Sequence, residues 1–228
     1  MAIRSFPPVE LADKDGLLCA GGDLEVESLL LAYRNGIFPW PVSEDYPLVW
    51  FSPPMRALIF LDDVHIPKSL KRARAKTWRF TIDQAFEEVI DGCANATNRR
   101  RGGGTWILPK MIAAYTALHC VGWCHSVEAW RSPLEASAKG GESELAGGLY
   151  GVSIGRMFAG ESMFYKTANA SKLALWYLID YLRERGAKWV DCQQLTPLVA
   201  SFGAREVPRD RFLELLAEAV DSTDSLFR

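Results

Sequence analysis

The sequence lacks an apolar run that could cross a membrane, since no stretch of about 20 consecutive apolar residues occurs in it. Residues 1–8 also lack the apolar core of a secretory signal peptide. The cysteines number five, an odd count, and their scattered positions do not suggest a disulfide framework. These absences favour a cytoplasmic protein in a reducing compartment that makes no membrane contact.

An excess of charge of one sign is also lacking, as are several familiar catalytic motifs. The formal net charge is −2, so any contact with a nucleic acid must come from a local basic patch. Neither a glycine-rich phosphate loop nor a Ser-His-Asp set is evident. His119, Cys120, Cys124 and His125 lie close together in sequence but do not have the spacing of a structural zinc site, so no metal is expected.

The residues that are present divide the chain into two parts. Residues 1–55 are rich in glycine, proline and aromatic residues. They include one predicted helix over 24–35, which ends at Gly36, and then an aromatic loop region in which the density of proline forbids regular elements. We therefore predict a small N-terminal domain over residues 1–55 and a larger catalytic domain over residues 56–228.

The larger part alternates between strand and helix patterns. These patterns predict a strand at 57–60 and then helices at 67–78, 83–93 and 109–121. Strands follow at 126–130, 145–154 and 156–164, the last two joined by a hairpin at Gly155. The last predicted elements are a helix from 169 to about 186, a strand at 189–193 and a helix from Pro208. Residues 132–143 read as a surface insertion, and the tail after Val220 is expected to be frayed. This order predicts an α/β chain of the α+β type whose mixed sheet is acetyltransferase-like (GNAT-like).

Polar residues interrupt two of the apolar strands. Asp191 and Gln193 share one face of the predicted strand 189–193 and could converge on a substrate amine or carbonyl, although a carboxylate that caps a turn stays equally open. Glu161 lies in a glycine-flanked apolar strand, where it would either form a structural salt bridge or attract a cation such as an ammonium group. Cys192 is a poor candidate nucleophile, because no histidine is near it in sequence.

Two tryptophans and one basic stretch could contact RNA. Trp40 lies between two prolines and Trp106 follows three glycines, so both are predicted in loops. A loop tryptophan can stack on a nucleobase, worth about 1–3 kcal/mol, or can simply cover the core. The basic stretch over residues 68–79 contains no acid, and it could follow phosphates or form a solvated helix face.

Several segments together resemble one family. In order, they are Gly21-Gly22-Asp23-Leu24, Gly36-Ile37-Phe38-Pro39-Trp40, Trp50-Phe51-Ser52-Pro53, Gly104-Thr105-Trp106-Ile107, His125-Ser126-Val127-Glu128-Ala129-Trp130, Gly148-Leu149-Tyr150-Gly151-Val152, Gly160-Glu161-Ser162-Met163-Phe164, Asn169-Ala170-Ser171-Lys172 and Asp191-Cys192-Gln193. Their order and spacing across about residues 5–215 resemble the leucyl/phenylalanyl-tRNA protein transferases.

The resemblance implies an activity and its partners. Members of the family take leucine or phenylalanine from Leu-tRNA or Phe-tRNA and add it to acceptor proteins that begin with Arg or Lys. The product is a signal for degradation by the bacterial N-end rule pathway. The family uses neither a metal nor coenzyme A, so no cofactor is expected.

The resemblance also implies roles for individual residues. Trp40 and Trp106 match the tryptophans that hold the 3′-terminal adenosine. Asp191 and Gln193 match the proposed catalytic pair, and Glu161 matches an acidic residue of the catalytic site. The aminoacyl pocket maps onto Leu149, Phe158, Met163, Leu175, Leu178 and Val190. The basic patch for tRNA phosphates keeps Lys68, Arg72 and Lys76.

The sequence departs from the family pattern in places, and other functions stay open. Leu198 replaces a frequent histidine, and one basic position falls on Ala75. An acyl-coenzyme A-dependent acetyltransferase-like enzyme would need a pyrophosphate-binding loop, which residues 155–157 and 166–168 do not supply. A non-catalytic tRNA-binding protein would tolerate Asp191→Ala. A monomer is expected, because no long exposed apolar stripe stands out.

Overall fold

The computed structural model describes residues 2–74, 78–96, 107–131 and 143–227. Within these ranges the strands are β1 (Leu17–Ala20), β2 (Phe38–Pro39), β3 (Val49–Phe51), β4 (Met55–Phe60), β5 (Trp78–Ile82), β6 (Cys124–Arg131), β7 (Glu144–Ile154), β8 (Met157–Tyr165), β9 (Trp189–Gln193) and β10 (Arg205–Pro208). The helices are α1 (Val26–Arg34), α2 (Lys68–Arg74), α3 (Phe86–Ala94), α4 (Pro109–Cys120), α5 (Ala170–Glu184), α6 (Pro197–Ala200) and α7 (Arg209–Val220). The predicted mixed α/β class is confirmed.

A seven-stranded sheet forms the centre of the molecule, with the order β10-β4-β9-β8-β7-β6-β5. Its neighbouring strands are antiparallel except β8 and β9, which are parallel and are joined by the crossover helix α5, as a parallel pair requires. Helix α5 packs on one face of the sheet, whereas α3 and α4 pack on the other. The two faces near β9 therefore have different neighbours.

The proline-rich first part also contains a sheet, so the prediction that it lacks regular elements beyond its helix is wrong. Strands β1, β3 and β2 form a small sheet in that order. Pro39 is tolerated because β2 is a two-residue edge strand, in which proline need not donate to the ladder. Leu29 and Trp50 belong to the same buried cluster as residues of α3 and α4. The division of the chain at residue 55 stays a prediction.

Most predicted elements of the larger part are confirmed, and the main differences concern two strands. The helix predicted over 67–78 ends at Arg74, and Trp78 begins β5 instead. The alternating residues of β5 pair with β6, and this tertiary pairing prevails over the helical pattern before it. Strand β10 was not predicted; it pairs with β4 and ends at Pro208, so the final helix, predicted from Pro208, begins at Arg209.

The C-terminal tail is packed, so the prediction that it frays is wrong. Leu226 is only 1% exposed and belongs to the core cluster around α5. The ring of Phe227 stacks on His125, with centroids 4.1 Å apart, and lies 5.6 Å from the ring of Phe158. Two apolar residues, Leu226 and Phe227, thus pack a polar tail against the core, although Asp221 and residues 223–225 stay exposed. Across the described ranges, no helix is long and apolar enough to span a membrane.

Candidate active site

An apolar cavity of about 230 Å³ lies beside β8, β9 and α5. Its walls include all six residues predicted for the aminoacyl pocket, namely Leu149, Phe158, Met163, Leu175, Leu178 and Val190. The volume is below the ~300–1,000 Å³ that is usual for pockets binding drug-sized ligands. The cavity is therefore suited to one apolar side chain rather than to a whole cofactor.

A β-bulge in β8 shapes the cavity. Gly151 pairs with Gly160, but the preceding residue of β7, Tyr150, pairs with Ser162, so Glu161 is an extra residue on β8. In a regular strand, Phe158 and Met163 would point to opposite faces. The extra residue shifts the alternation by one, and both side chains line the same cavity. The sequence did not reveal this bulge.

Gly151 provides the space that Phe158 occupies. A Cβ atom at Gly151 would lie 2.5 Å from Cζ of Phe158 and 2.3 Å from the backbone oxygen of Ala159. Any larger residue would displace either the ring or the strand. Glycine inside a strand often marks such a close approach, and Gly151 is an example.

Glu161 is half-buried and accepts hydrogen bonds from neutral donors. The hydroxyl of Tyr115 donates to its Oε2 at 3.0 Å, and Nε2 of Gln193 donates to its Oε1 at 2.7 Å. The hydroxyls of Tyr115 and Tyr33 are 2.6 Å apart. Burial raises the pKa of Glu161 to about 7, although the two tyrosine hydroxyls partly oppose this change. The carboxyl therefore exchanges its proton near neutral pH.

Asp191 forms a buried ion pair with Arg56, a residue that sequence reasoning missed. Both side chains are only 2% exposed. Nε of Arg56 donates to Oδ1 of Asp191 at 2.9 Å, and Nη2 donates to Oδ2 at 2.7 Å. The guanidinium lies 4.6 Å from the ring centroids of both Phe38 and Phe212. An arginine directly before the apolar run 57–60 was the feature that could have suggested this pair.

Gln193 ends β9 in a left-handed conformation with φ of +61°, a conformation that costs a residue other than glycine about 1–3 kcal/mol. Its backbone N–H donates to Oδ1 of Asp191 at 2.8 Å. As the alternation of the strand predicts, Val190 and Cys192 line the cavity, whereas Asp191 faces Arg56. Burial raises the pKa of the Cys192 thiol far above its ordinary value, so Cys192 is not a thiolate.

The residues predicted to contact RNA are only partly described. Trp40 is half-buried at the end of β2, and its ring centroid lies 6.4 Å from that of Phe38. Lys68 and Arg72 are exposed on α2, and neither forms an ion pair with a residue that the structure describes. Trp106 and Lys76 lie outside the described residues.

Two histidines that were considered as metal ligands, and Leu198, have the following surroundings. His125 Nδ1 lies 2.7 Å from Asp83 Oδ2, and His119 Nδ1 lies 2.8 Å from the backbone oxygen of Cys124. Among residues 2–74, 78–96, 107–131 and 143–227, no group of three potential ligands could hold a metal ion. Leu198, which departs from the family pattern, is half-buried in the wall of the cavity.

Two family models match this chain. The model described as leucyl/phenylalanyl-tRNA protein transferase matches residues 58–217, and the model of the N-terminal domain of the same family matches residues 22–54. The chain belongs to this family. Together, the matches cover β2 and β3 of the small sheet and most of the large sheet.

Relatives with that name are similar along nearly the whole chain. A leucyl/phenylalanyl-tRNA–protein transferase of Syntrophobacter fumaroxidans is 49% identical over 216 residues, which are 94% of this chain and 87% of the relative. One from Stutzerimonas stutzeri is 47% identical over 220 residues, with 95% and 92% covered. Among solved structures, FemX matches with a TM-score of 0.46 and 15% identity over 74% of this chain and 60% of FemX.

Proposed function

We propose that the chain transfers leucine or phenylalanine from aminoacyl-tRNA to the N-terminal Arg or Lys of acceptor proteins and so marks them for degradation. Membership of the family supports the class of reaction. The observation that carries the choice of substrate is the cavity, which is apolar, has the size of one side chain and has Glu161 in its wall. Such a cavity accepts Leu and Phe, because apolar contacts discriminate by only ~1–3 kcal/mol per methylene.

The chemistry asks little of the protein beyond positioning. The acceptor amine attacks the carbonyl carbon of the aminoacyl ester, a C–N bond forms, and the bond to the ribose oxygen of the tRNA breaks. The amine loses a proton and the ribose hydroxyl gains one. An α-amino group has an ordinary pKa of about 7.7–8.0, so part of it is already neutral near pH 7. Holding amine and ester together can therefore provide most of the acceleration.

We assign roles to the site residues on this basis. The six residues predicted for the aminoacyl pocket, which all lie in the cavity wall, hold the aminoacyl side chain. Glu161 attracts the acceptor amine or its basic side chain, and Gln193, which donates to Glu161, orients it. Trp40 and Trp106 stack on the terminal adenosine, whereas Lys68, Arg72 and Lys76 contact tRNA phosphates. Asp191 positions Gln193 by accepting a hydrogen bond from its backbone N–H.

Further parts of the proposal concern the setting of the enzyme. We propose a cytoplasmic monomer without a cofactor, built from an N-terminal domain over residues 1–55 and an acetyltransferase-like catalytic domain over residues 56–228. The cytoplasm is where charged tRNA is available to such an enzyme. The mass of the chain in solution, alone and with tRNA, tests the monomer directly.

The decisive experiment is a transfer assay with radiolabelled leucine on tRNA. We expect label on a peptide that begins with Arg and none on a matched peptide that begins with Glu. The same assay with labelled acetyl-coenzyme A as donor should leave both peptides unlabelled. Label from acetyl-coenzyme A would contradict the proposal in favour of an acetyltransferase, and tRNA binding without transfer would indicate a binding protein.

A further inference from the structure

Arg56 is the only buried Arg or Lys side chain among the residues that the structure describes. It lies on β4, directly beside β9, and its guanidinium fills the space between the rings of Phe38 and Phe212. Its Nη1 also donates to the backbone oxygen of Gly36 at 3.3 Å. The guanidinium is thus fixed by aromatic rings and by the backbone, in addition to Asp191.

Both oxygens of Asp191 are already used. Oδ2 accepts from Nη2 of Arg56, and Oδ1 accepts from Nε of Arg56 and from the backbone N–H of Gln193. Asp191 is also absent from the wall of the cavity, whereas Glu161 forms part of it. A carboxylate that is neutralised by a bidentate guanidinium and faces away from the substrate is poorly placed to take a proton from an amine.

Asp191 instead fixes the backbone at the end of β9. In the parallel pair, Ala159 of β8 lies opposite Asp191, so Glu161 and Gln193 come side by side two residues further along each strand. Gln193 contacts Glu161 from a left-handed backbone, and the hydrogen bond from its N–H to Asp191 favours that conformation. Arg56 fixes Asp191, which fixes Gln193, which contacts Glu161.

We propose that Arg56 and Asp191 are positioning residues, which act through the backbone of Gln193 to set the Gln193–Glu161 pair, and that Asp191 accepts no proton in the reaction. This inference rests on the proposed function, since it assigns roles within that reaction. It places the proton-accepting or cation-attracting role on Glu161 alone. The carboxylate of Asp191 is then replaceable, provided that an acceptor for the Gln193 N–H remains and no buried charge is left unpaired.

Two matched double variants test this statement. R56M/D191N removes both charges but keeps an oxygen that can accept from the Gln193 N–H, whereas R56M/D191L removes the charges and the acceptor. We expect R56M/D191N to have a kcat at least about tenfold above that of R56M/D191L, with similar KM for Leu-tRNA, because only the second leaves a buried N–H without its partner. The pH dependence of kcat/KM in R56M/D191N should match that of the unchanged chain.

The opposite result is equally specific. If the carboxylate of Asp191 is a base, both double variants lose about 10²–10⁴-fold in kcat while remaining folded, and the pH profile of R56M/D191N changes. Equal kcat values in the two folded variants would overturn the positioning role. Near-UV circular dichroism of each variant establishes folding before any rate is compared.

A second measurement does not need activity, so it separates this inference from the proposed function. A chain that transfers no leucine would contradict the proposed function. Thermal unfolding would still test the coupling between Arg56 and Asp191. We expect R56M and D191N each to have a lower Tm than R56M/D191N, since each single change leaves a buried charge without its partner. Independent, additive losses in Tm would overturn the coupling of Arg56 to Asp191, on which the positioning of Gln193 depends.

Discussion

The two faces of β9 differ in how they are filled. On one face, Asp191 is only 1% exposed and pairs with Arg56, whose guanidinium lies between the rings of Phe38 and Phe212. On the other, Val190 and Cys192 border an apolar cavity of about 230 Å³. The strand thus separates the Arg56–Asp191 pair, a rigid support, from the cavity that we propose for the substrate, and alternate residues of one short segment face the two.

The same difference separates the two carboxyl groups of the site. Asp191 is paired with a buried cation, whereas Glu161 has only neutral donors from Tyr115 and Gln193. Two hydrogen bonds from Arg56 fix the carboxylate of Asp191, whereas burial among neutral donors raises the pKa of Glu161 to about 7. Both acids lie in family motifs, so the sequence alone does not distinguish them. Their different partners support the proposal that Glu161, rather than Asp191, exchanges a proton.

Breaking the support should have the largest effect. Arg56→Met leaves the Asp191 carboxylate buried without its partner, and we expect the free energy of unfolding to fall by about 3–5 kcal/mol. The matched control is Arg205→Met, which removes a guanidinium that is 56% exposed and 3.1 Å from Asp63. That exposed pair should contribute only about 0–1 kcal/mol. Urea unfolding of the two variants tests the comparison, and equal losses would contradict it.

Removing a buried side chain on the side of the sheet that carries the cavity should cause the next largest loss of stability. Leu226→Ala removes a side chain that is 1% exposed beneath the cavity side of the sheet, and we expect a loss of about 2–5 kcal/mol. Leu11→Ala is the control, because Leu11 is 70% exposed and should change stability by less than about 0.5 kcal/mol. A tail that can be altered without loss of stability would show that it does not pack as described.

Removing the charge of Glu161 tests the division of work between the two acids. We expect Glu161→Gln to lower kcat by about 10²-fold and to abolish the rise of kcat/KM through about pH 7. The sign for stability is opposite: because burial raises the pKa from 4.5 to about 7, the folded chain holds the proton more tightly than the unfolded chain. The free energy of unfolding therefore falls as pH rises over that interval.

The control for this prediction is built into the same variant. Glutamine cannot ionise, so both the decline of stability from pH 4.5 to about 7 and the activity step should be absent in Glu161→Gln. Urea unfolding at several pH values measures the first, and the transfer assay measures the second. A Gln variant that keeps the full pH profile would contradict the role of Glu161.

Much of the chain after residue 55 could be predicted from the sequence, since most of its elements are long and strongly periodic. Strand β9 was predicted with its bounds, and the alternation of Asp191 and Val190 follows from them. The six residues of the cavity wall came from the family resemblance, not from periodicity. A regular strand would even have separated Phe158 from Met163, because local patterns do not reveal the bulge at Glu161.

Long-range partners were the features that the sequence could not provide. Arg56 is 135 positions from Asp191, and their pairing depends on β4 lying next to β9 in the sheet. The short strands β5 and β10 depend in the same way on neighbours that are distant in sequence. The tail was predicted to fray because the ends of chains usually do, yet Leu226 is buried in the core and Phe227 stacks on His125.

Enlarging the cavity should change the choice of donor without affecting the support. Met163→Ala removes several atoms from the cavity wall, and we expect the ratio of kcat/KM for Phe-tRNA to that for Leu-tRNA to rise about tenfold. Met55→Ala is the matched control, because Met55 is exposed and is not part of the wall. Competition between the two charged tRNAs in one reaction measures the ratio directly, and an unaltered ratio would place Met163 outside the donor site.

The smallest effects are expected on helix α2, away from both faces of β9. Lys68→Ala and Arg72→Ala should each raise the KM for Leu-tRNA a few-fold and lower the slope of log affinity against log salt by about one, since each removes one phosphate contact. Lys188→Ala is the control, because Lys188 is an exposed lysine just before the first residue of β9, at the end opposite Gln193. Its slope should equal that of the unchanged chain. A slope that falls equally in all three variants would mean that general surface charge, rather than α2, attracts the tRNA, whereas unchanged kcat in the α2 variants would separate tRNA capture from the chemistry at Glu161.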